Sequence, residues 1–266
     1  MAKLRENSVN YLNYIDNSVE MGDKPLISVI VPTHNEERYL GDLLKSIKAQ
    51  TYKNYEVIIG DYNSSDKTAK IAKKYGAKFL RTTKRGISAG RNVGLKIAKG
   101  EIIAFIDADY ILSKKLFHNT VLAFAKKENK DVVAIEPTTR VNNKDLNRRD
   151  RIKFKILSRL INVYKRVSYN FDIPAAYGCV FCRDDALFKA GNFNEDIEIC
   201  EDKELYSRIR KLGRFIMIKD TARMSYRRHV KEGTLRTGLL YFYSMMVVLI
   251  TGKFKSRHKP VRGKHD

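Results

Sequence analysis

The chain has 266 residues, 43 % of them hydrophobic, enough to bury one large core, and a formal net charge of +22 that makes its expected partners anionic. Three cysteines, Cys179, Cys182 and Cys200, form no disulfide framework. The polar amino terminus carries no secretory signal, so a reducing, cytoplasmic setting is expected. The longest late apolar stretch, residues 238–250, falls short of the roughly 20 residues a bilayer span needs.

Residues 1–24 read as a polar lead-in, with a short helix around Tyr11 to Ile15. The β-branched run Leu26 to Val31, stopped by Pro32, is a strand. Leu40, Leu43, Leu44 and Ile47 at helical spacing predict a helix over 37–49. A strand at Glu56 to Ile59 follows, and Asn63 to Asp66 make a polar turn capping a helix over 67–75. A short strand at 77–81, a flexible Gly86–Gly90 loop and a helix from Arg91 to Ala98 come next. The apolar run Ile102 to Ile106 then reads as a buried strand delivering Asp107-Ala108-Asp109 at its carboxyl end.

This alternation predicts a parallel sheet wrapped by helices. The strand-end loops carrying Thr33 to Glu36, Asp61 and Asp107/Asp109 should then meet on one edge, where such sheets bind ligands. Two carboxylates one residue apart repel unless a cation is near, and an oxygen-only set suits Mg²⁺ or Mn²⁺ completed by water and phosphates. There is neither a GxGxxG nor a GxxxxGK[ST] motif. The CxxC spacing of Cys179 and Cys182 has no second pair, which argues against zinc or redox use.

With these segments placed, the chain resembles the family-2 glycosyltransferases, an inverting group with a GT-A fold. The likeness rests on Ile27 to Glu36, Gln50-Thr51, Ser88-Ala89-Gly90-Arg91-Asn92-Val93-Gly94, Ala98 to Glu101 and Asp107-Ala108-Asp109. It continues through Gly178, Arg183, Gly191 to Glu195, Glu201-Asp202, Leu205, Arg208 and Gly213. The resemblance implies an α/β fold with a mostly parallel central sheet, a Rossmann-like nucleotide half at 25–110, an acceptor half at 111–220, and a basic, amphipathic C-terminal segment at 221–266.

The resemblance also implies transfer of a sugar from a nucleotide-diphosphate donor, UDP favoured, to a hydroxyl or lipid-linked acceptor. Pro32, Thr33, Glu36, Asp61, Arg91, Asp107, Ala108, Asp109 and Glu201 would line the donor site. Asp109, with Asp107 close to the ribose or sharing the ion, would hold a divalent cation against the diphosphate. Asp202 matches the family's catalytic base, with Glu201 raising its pKa by like charge. Where the family usually has a second acid after Asp61, this chain has Tyr62. Ser225 to His229 resembles a basic segment of some members, so that Arg227 or Arg228 would clamp the diphosphate and His229 would join the metal.

Positive charge concentrates between Arg148 and Arg166, with Lys153, Lys155, Arg159 and Lys165 interleaved with Ile152, Ile156, Leu160, Ile161, Val163, Tyr164 and Val167. This is a basic amphipathic helix, suited to an anionic membrane or to packing with a solvated basic face. A second basic region is the tail Lys253 to Lys264, and Leu239 to Ile250 between them suits an interfacial helix or partner contact. The expected setting is peripheral attachment to the inner membrane face. A nucleic-acid partner is disfavoured, since no aromatic platform or recognition module accompanies the charge. A nucleotidyltransferase lacks its Gly-rich opening loop. A catalytically silent nucleotide-sugar-binding or membrane-scaffold relative is the remaining alternative.

Overall fold

Alternate residues of one fully buried strand explain the layers. In β4 (Ile102–Ile106), Ile102, Ala104 and Ile106 enter one core and Ile103 and Phe105 the other. A strand covered on both faces can be apolar at every position, which is why this run contains no polar residue. The computed structural model describes residues 24–144, 146–170, 178–197, 200–234, 236–237 and 243. The lead-in, the apolar run 239–250 (apart from Tyr243) and the basic tail lie outside the described residues.

β1 (Ile27–Thr33), β2 (Tyr55–Tyr62), β3 (Lys78–Thr82) and β4 are mutually parallel in the order β3-β2-β1-β4, with Thr33 opposite Asp61. The sheet continues through β7 (Cys179–Arg183), β6 (Val132–Val141), β8 (Arg214–Met224) and β5 (Tyr110–Leu112). β7 is antiparallel to both β4 and β6, β8 is parallel to β6, and β5 is antiparallel to β8. Six strands therefore point one way and only β5 and β7 run against them, which makes the sheet the mostly parallel one expected. A domain boundary at 220 would fall inside β8, whose Met224 pairs with Tyr110.

α1 (Leu40–Lys48), α2 (Thr68–Lys74) and α4 (Leu116–Ala125) supply one core. α6 (Asp184–Ala190) and α7 (Glu201–Arg210) supply the other. α1 begins three residues later than expected, because Glu36 to Tyr39 form a turn ahead of it. The helix expected from Arg91 is α3 (Ile87–Leu95), and the flexible loop expected at Gly86–Gly90 is corrected: its last four residues are helical. The glycine there serves packing. A Cβ on Gly60 would run into the Gly90 carbonyl, and one on Gly90 would press to 2.6 Å from the Gly60 carbonyl, so α3 lies directly on the β2 backbone.

α5 (Arg148–Asn170) packs on β6 through Phe154, Ser158, Lys165, Ser168 and Tyr169, all buried. Lys165 was expected on the solvated basic face. It points inward instead, 2.9 Å from the fully buried Glu136 and 3.0 Å from Thr139 Oγ1, while the Tyr169 hydroxyl donates to Glu136 at 2.5 Å. A buried lysine needs such a set of oxygens, because an unpaired charge in this interior would cost several kcal/mol.

Candidate active site

Thr33, at the end of β1, is buried and its hydroxyl donates to Asp61 Oδ1 at 2.7 Å. The Ser64 hydroxyl donates to the same oxygen at 2.5 Å, and the Ser64 N–H donates to Oδ2 at 2.9 Å. Asp61 has no exposed surface, so a nucleotide base could reach its carboxylate only if a neighbouring group moved aside. Here Asp61 ties the first two strand-end loops together. Beside it His34 Nδ1 lies 2.6 Å from the Tyr62 carbonyl oxygen, and the two rings are tilted with centroids 5.0 Å apart. Asn35 and Asn63 in these loops hold positive φ, a conformation asparagine tolerates better than most residues. Pro32 lies beneath Gly90, and Ala108 is buried between the two acids of the strand-end triplet.

Arg91, in the second turn of α3, is 2 % exposed, so it is a buried cation. One terminal nitrogen meets Asp107 Oδ1 at 3.0 Å and the other meets Glu201 Oε1 at 3.1 Å, with the Phe193 ring centroid 5.0 Å from Cζ. The guanidinium fork is what allows one side chain to brace two carboxylates from different elements. Those carboxylates hold its pKa above the ordinary arginine value, against the opposing effect of burial. Asp107 also donates its N–H to the Gly178 carbonyl at 2.8 Å, and a Cβ on Gly178 would overlap the Asp107 carboxylate.

Glu201 and Asp202 open α7. Cys200 before them is held at φ 64°, uncommon for a residue that is neither Gly nor Asn. Burial and the neighbouring Asp202 carboxylate push Glu201 up to about 7, with Arg91 opposing. Burial likewise raises Asp202, against the pull of Arg91 and Lys203.

On the other flank Arg227 grips Glu36 with two hydrogen bonds of 2.8 and 2.6 Å and reaches Asp109 Oδ2 with Nε at 3.2 Å. Its Cζ lies 4.5 Å from the Tyr39 ring centroid. Burial pushes Asp109 up to about 7, with Asp107 and Glu36 adding and Arg227 opposing. The other members of the basic segment go elsewhere. Arg228 pairs with Glu232 at 3.2 Å within α8 (Arg227–Glu232). The His229 ring packs against Tyr226 and Phe154, and among the described residues it joins no metal-holding group with Asp107 and Asp109. Sequence reasoning gave no role to Tyr39, for which no signal existed, or to Asn92, which sits inside a motif already noticed.

A parallel half-sheet whose carboxyl edge gathers acidic loops, joined to a second half that returns Glu201 and Asp202 to a shared arginine, is a GT-A type fold. The chain belongs to glycosyl transferase family 2, whose family model matches residues 28–190. It is 33 % identical over 194 residues to the minor teichoic acid biosynthesis protein GgaB of Bacillus subtilis, covering 68 % of this chain and 21 % of that one. It is 30 % identical over 185 residues to the poly(ribitol-phosphate) β-N-acetylglucosaminyltransferase TarS of Staphylococcus aureus, covering 66 % of this chain and 31 % of that one. Residues 1–349 of TarS with UDP superpose at a TM-score of 0.58 with 22 % identity, over 75 % of this chain and 60 % of that one. A Pyrobaculum calidifontis mannosyltransferase with GDP-Man and Mn²⁺ gives 0.56 and 22 %, over 74 % and 56 %. The chain thus spans 21 % and 31 % of the lengths of these two curated relatives, GgaB and TarS.

Proposed function

We propose that this chain transfers a sugar from a nucleotide-diphosphate donor, UDP favoured, to a hydroxyl or lipid-phosphate acceptor, with inversion at the anomeric carbon. The observation that carries the reading is Arg91, which draws Asp107 and Glu201, from opposite halves of the fold, to one guanidinium. Carboxylates from the nucleotide half and from the later half of the chain thereby meet at one guanidinium. Asp202, adjacent to that brace and raised by burial, would take the acceptor proton as general base, where a pKa nearer neutrality is useful. The relatives, among them a β-N-acetylglucosaminyltransferase and structures with UDP and GDP-Man, support the reading.

A divalent cation fits the oxygen-only donor set of Asp107 and Asp109. Among the described residues no group of three or more ligating side chains is assembled, so phosphate oxygens and water would complete the shell. Bound there, the ion would neutralise charge developing on the departing diphosphate. Arg227, already on Asp109, would add a second cation to the same phosphates. The acceptor and a peripheral place on the inner membrane face belong to the same proposal.

Calorimetry with a panel of nucleoside diphosphates, with and without Mn²⁺, tests the donor site. Binding of one nucleotide that needs the metal and is lost in Asp109→Ala is expected. Donor hydrolysis that disappears in Asp202→Asn, with nucleotide affinity kept, is expected for the base. Binding without any turnover would instead favour the silent relative, and no binding by any nucleotide would sink the transferase reading.

A further inference from the structure

α5 has two apolar faces, and among the described residues only one of them is covered by other elements. Its inner face meets β6 and α8, with Phe154 stacked on Tyr226 at 4.6 Å and 18°. Ile152, Ile156, Leu160, Val163 and Val167 lie on the opposite side and are 49 to 60 % exposed. At 100° per residue these five fall within an arc of about 80° and run for about 22 Å along the helix. Aliphatic side chains so aligned and so exposed are not the scatter of single apolar residues that ordinary surfaces show.

The margins of the stripe are basic. Arg148, Lys155, Arg159 and Arg166 follow one edge and Lys153 stands on the other, all exposed. The acid on this helix, Asp150, is held by Asn147 through its carboxylate and its N–H. Long cationic side chains beside an apolar ridge can lay their stems along hydrocarbon and keep their charges at the level of phosphate headgroups. Protein interfaces, by contrast, are depleted in lysine at their centres.

We propose that the outward face of α5 docks this chain on an anionic lipid bilayer, with the five aliphatic residues entering the headgroup–acyl boundary and the flanking arginines and lysines meeting lipid phosphates. This deepens the functional reading by naming the membrane-facing surface. Through Phe154 and Tyr226 the docked helix connects to Arg227, which holds Glu36 and Asp109. A bilayer on the outer face would be separated from those residues by the thickness of α5 and the Phe154–Tyr226 stack.

The test is co-sedimentation of the full chain with vesicles of phosphatidylcholine alone or mixed with phosphatidylglycerol. Two double variants are compared, Ile156→Asp with Leu160→Asp, and Arg159→Gln with Arg166→Gln. All four positions are exposed, and thermal unfolding checks that the fold is kept. Wild type is expected to partition onto the mixed vesicles. The aspartate pair should lose about tenfold or more per residue, and the glutamine pair about fivefold per charge, a difference that shrinks as salt is added. A wild-type chain that stays in the supernatant, or partition unchanged in both folded variants, would overturn the proposal. So would a dimer disrupted by the aspartate pair with vesicle binding intact. Partition is read without donor or acceptor, so its failure leaves the transferase reading standing.

Discussion

Asn92 and Phe193 hold each other through two hydrogen bonds, the amide Nδ2 donating to the Phe193 carbonyl at 2.9 Å and the Phe193 N–H donating to Oδ1 at 3.0 Å. Nδ2 also donates to Glu195 Oε1 at 2.8 Å. Two motifs far apart in sequence are thus one physical unit, and the Phe193 ring fixed by this latch lies against the Arg91 guanidinium.

Asn92→Ala should cost about 2–4 kcal/mol, because it leaves a buried N–H and carbonyl without partners. Chemical denaturation measures this directly. A loss below about 0.5 kcal/mol, the scatter of ordinary surface changes, would mean the latch is dispensable.

Arg91→Met should destabilise by about 3–5 kcal/mol by leaving Asp107 and Glu201 without their shared cation. Arg91→Lys should recover only part of this, since a single ammonium cannot reproduce the fork. Equal stability of the lysine variant and wild type would show that charge alone suffices.

Arg227 makes opposite predictions for a metal and for a diphosphate. Beside Asp109 its guanidinium repels an added cation but would attract phosphate. In Arg227→Gln, Mn²⁺ alone should bind several-fold more tightly while a nucleoside diphosphate binds more weakly, both read by calorimetry. A shift of both affinities in the same direction would contradict this placement of charge.

Glu201 sets a pH dependence whose sign is fixed by its raised pKa. Its stabilising contribution is full below its ordinary value of 4.5 and is lost as the pH rises through about 7. Glu201→Gln should therefore remove a fall in stability between pH 5 and 8 of roughly 1–3 kcal/mol. Parallel Tm–pH profiles for the two proteins would falsify the assignment.

Gly178→Ala should leave the sheet intact but displace the Asp107 carboxylate, which occupies the space a Cβ would need. Lowered thermal stability, because the displaced carboxylate leaves its 3.0 Å contact with Arg91, and weakened metal-dependent nucleotide binding are the expected pair of results. Unchanged binding would mean Asp107 can move without consequence.

Much of the first half could be read from the chain. Strand-length runs of Ile and Val bounded by polar turns mark β1, β2 and β4, and the parallel order follows from the helices between them. The acidic triplet at the end of β4 was visible for the same local reason. The second half was less readable. β5 has only three residues and β7 pairs against the direction of its neighbours, neither of which leaves a periodic signature. The glycines before Arg91 suggested a loop, because sequence does not show that the β2 backbone lies against them.

By itself the sequence determined the alternation of strands and helices, the acidic strand end, the acidic start of α7 and the existence of a long basic amphipathic helix. Tertiary structure decided which way each charged side chain turns. Lys165 goes inward to Glu136 while Ile156 and Leu160 go outward, although both sets obey the same helical period. Arg91 becomes a buried brace and Arg227 a clamp on Asp109, and Asp61 is closed off between two loops. Periodicity states which residues share a face, but only packing against elements far away in the chain determines what that face meets.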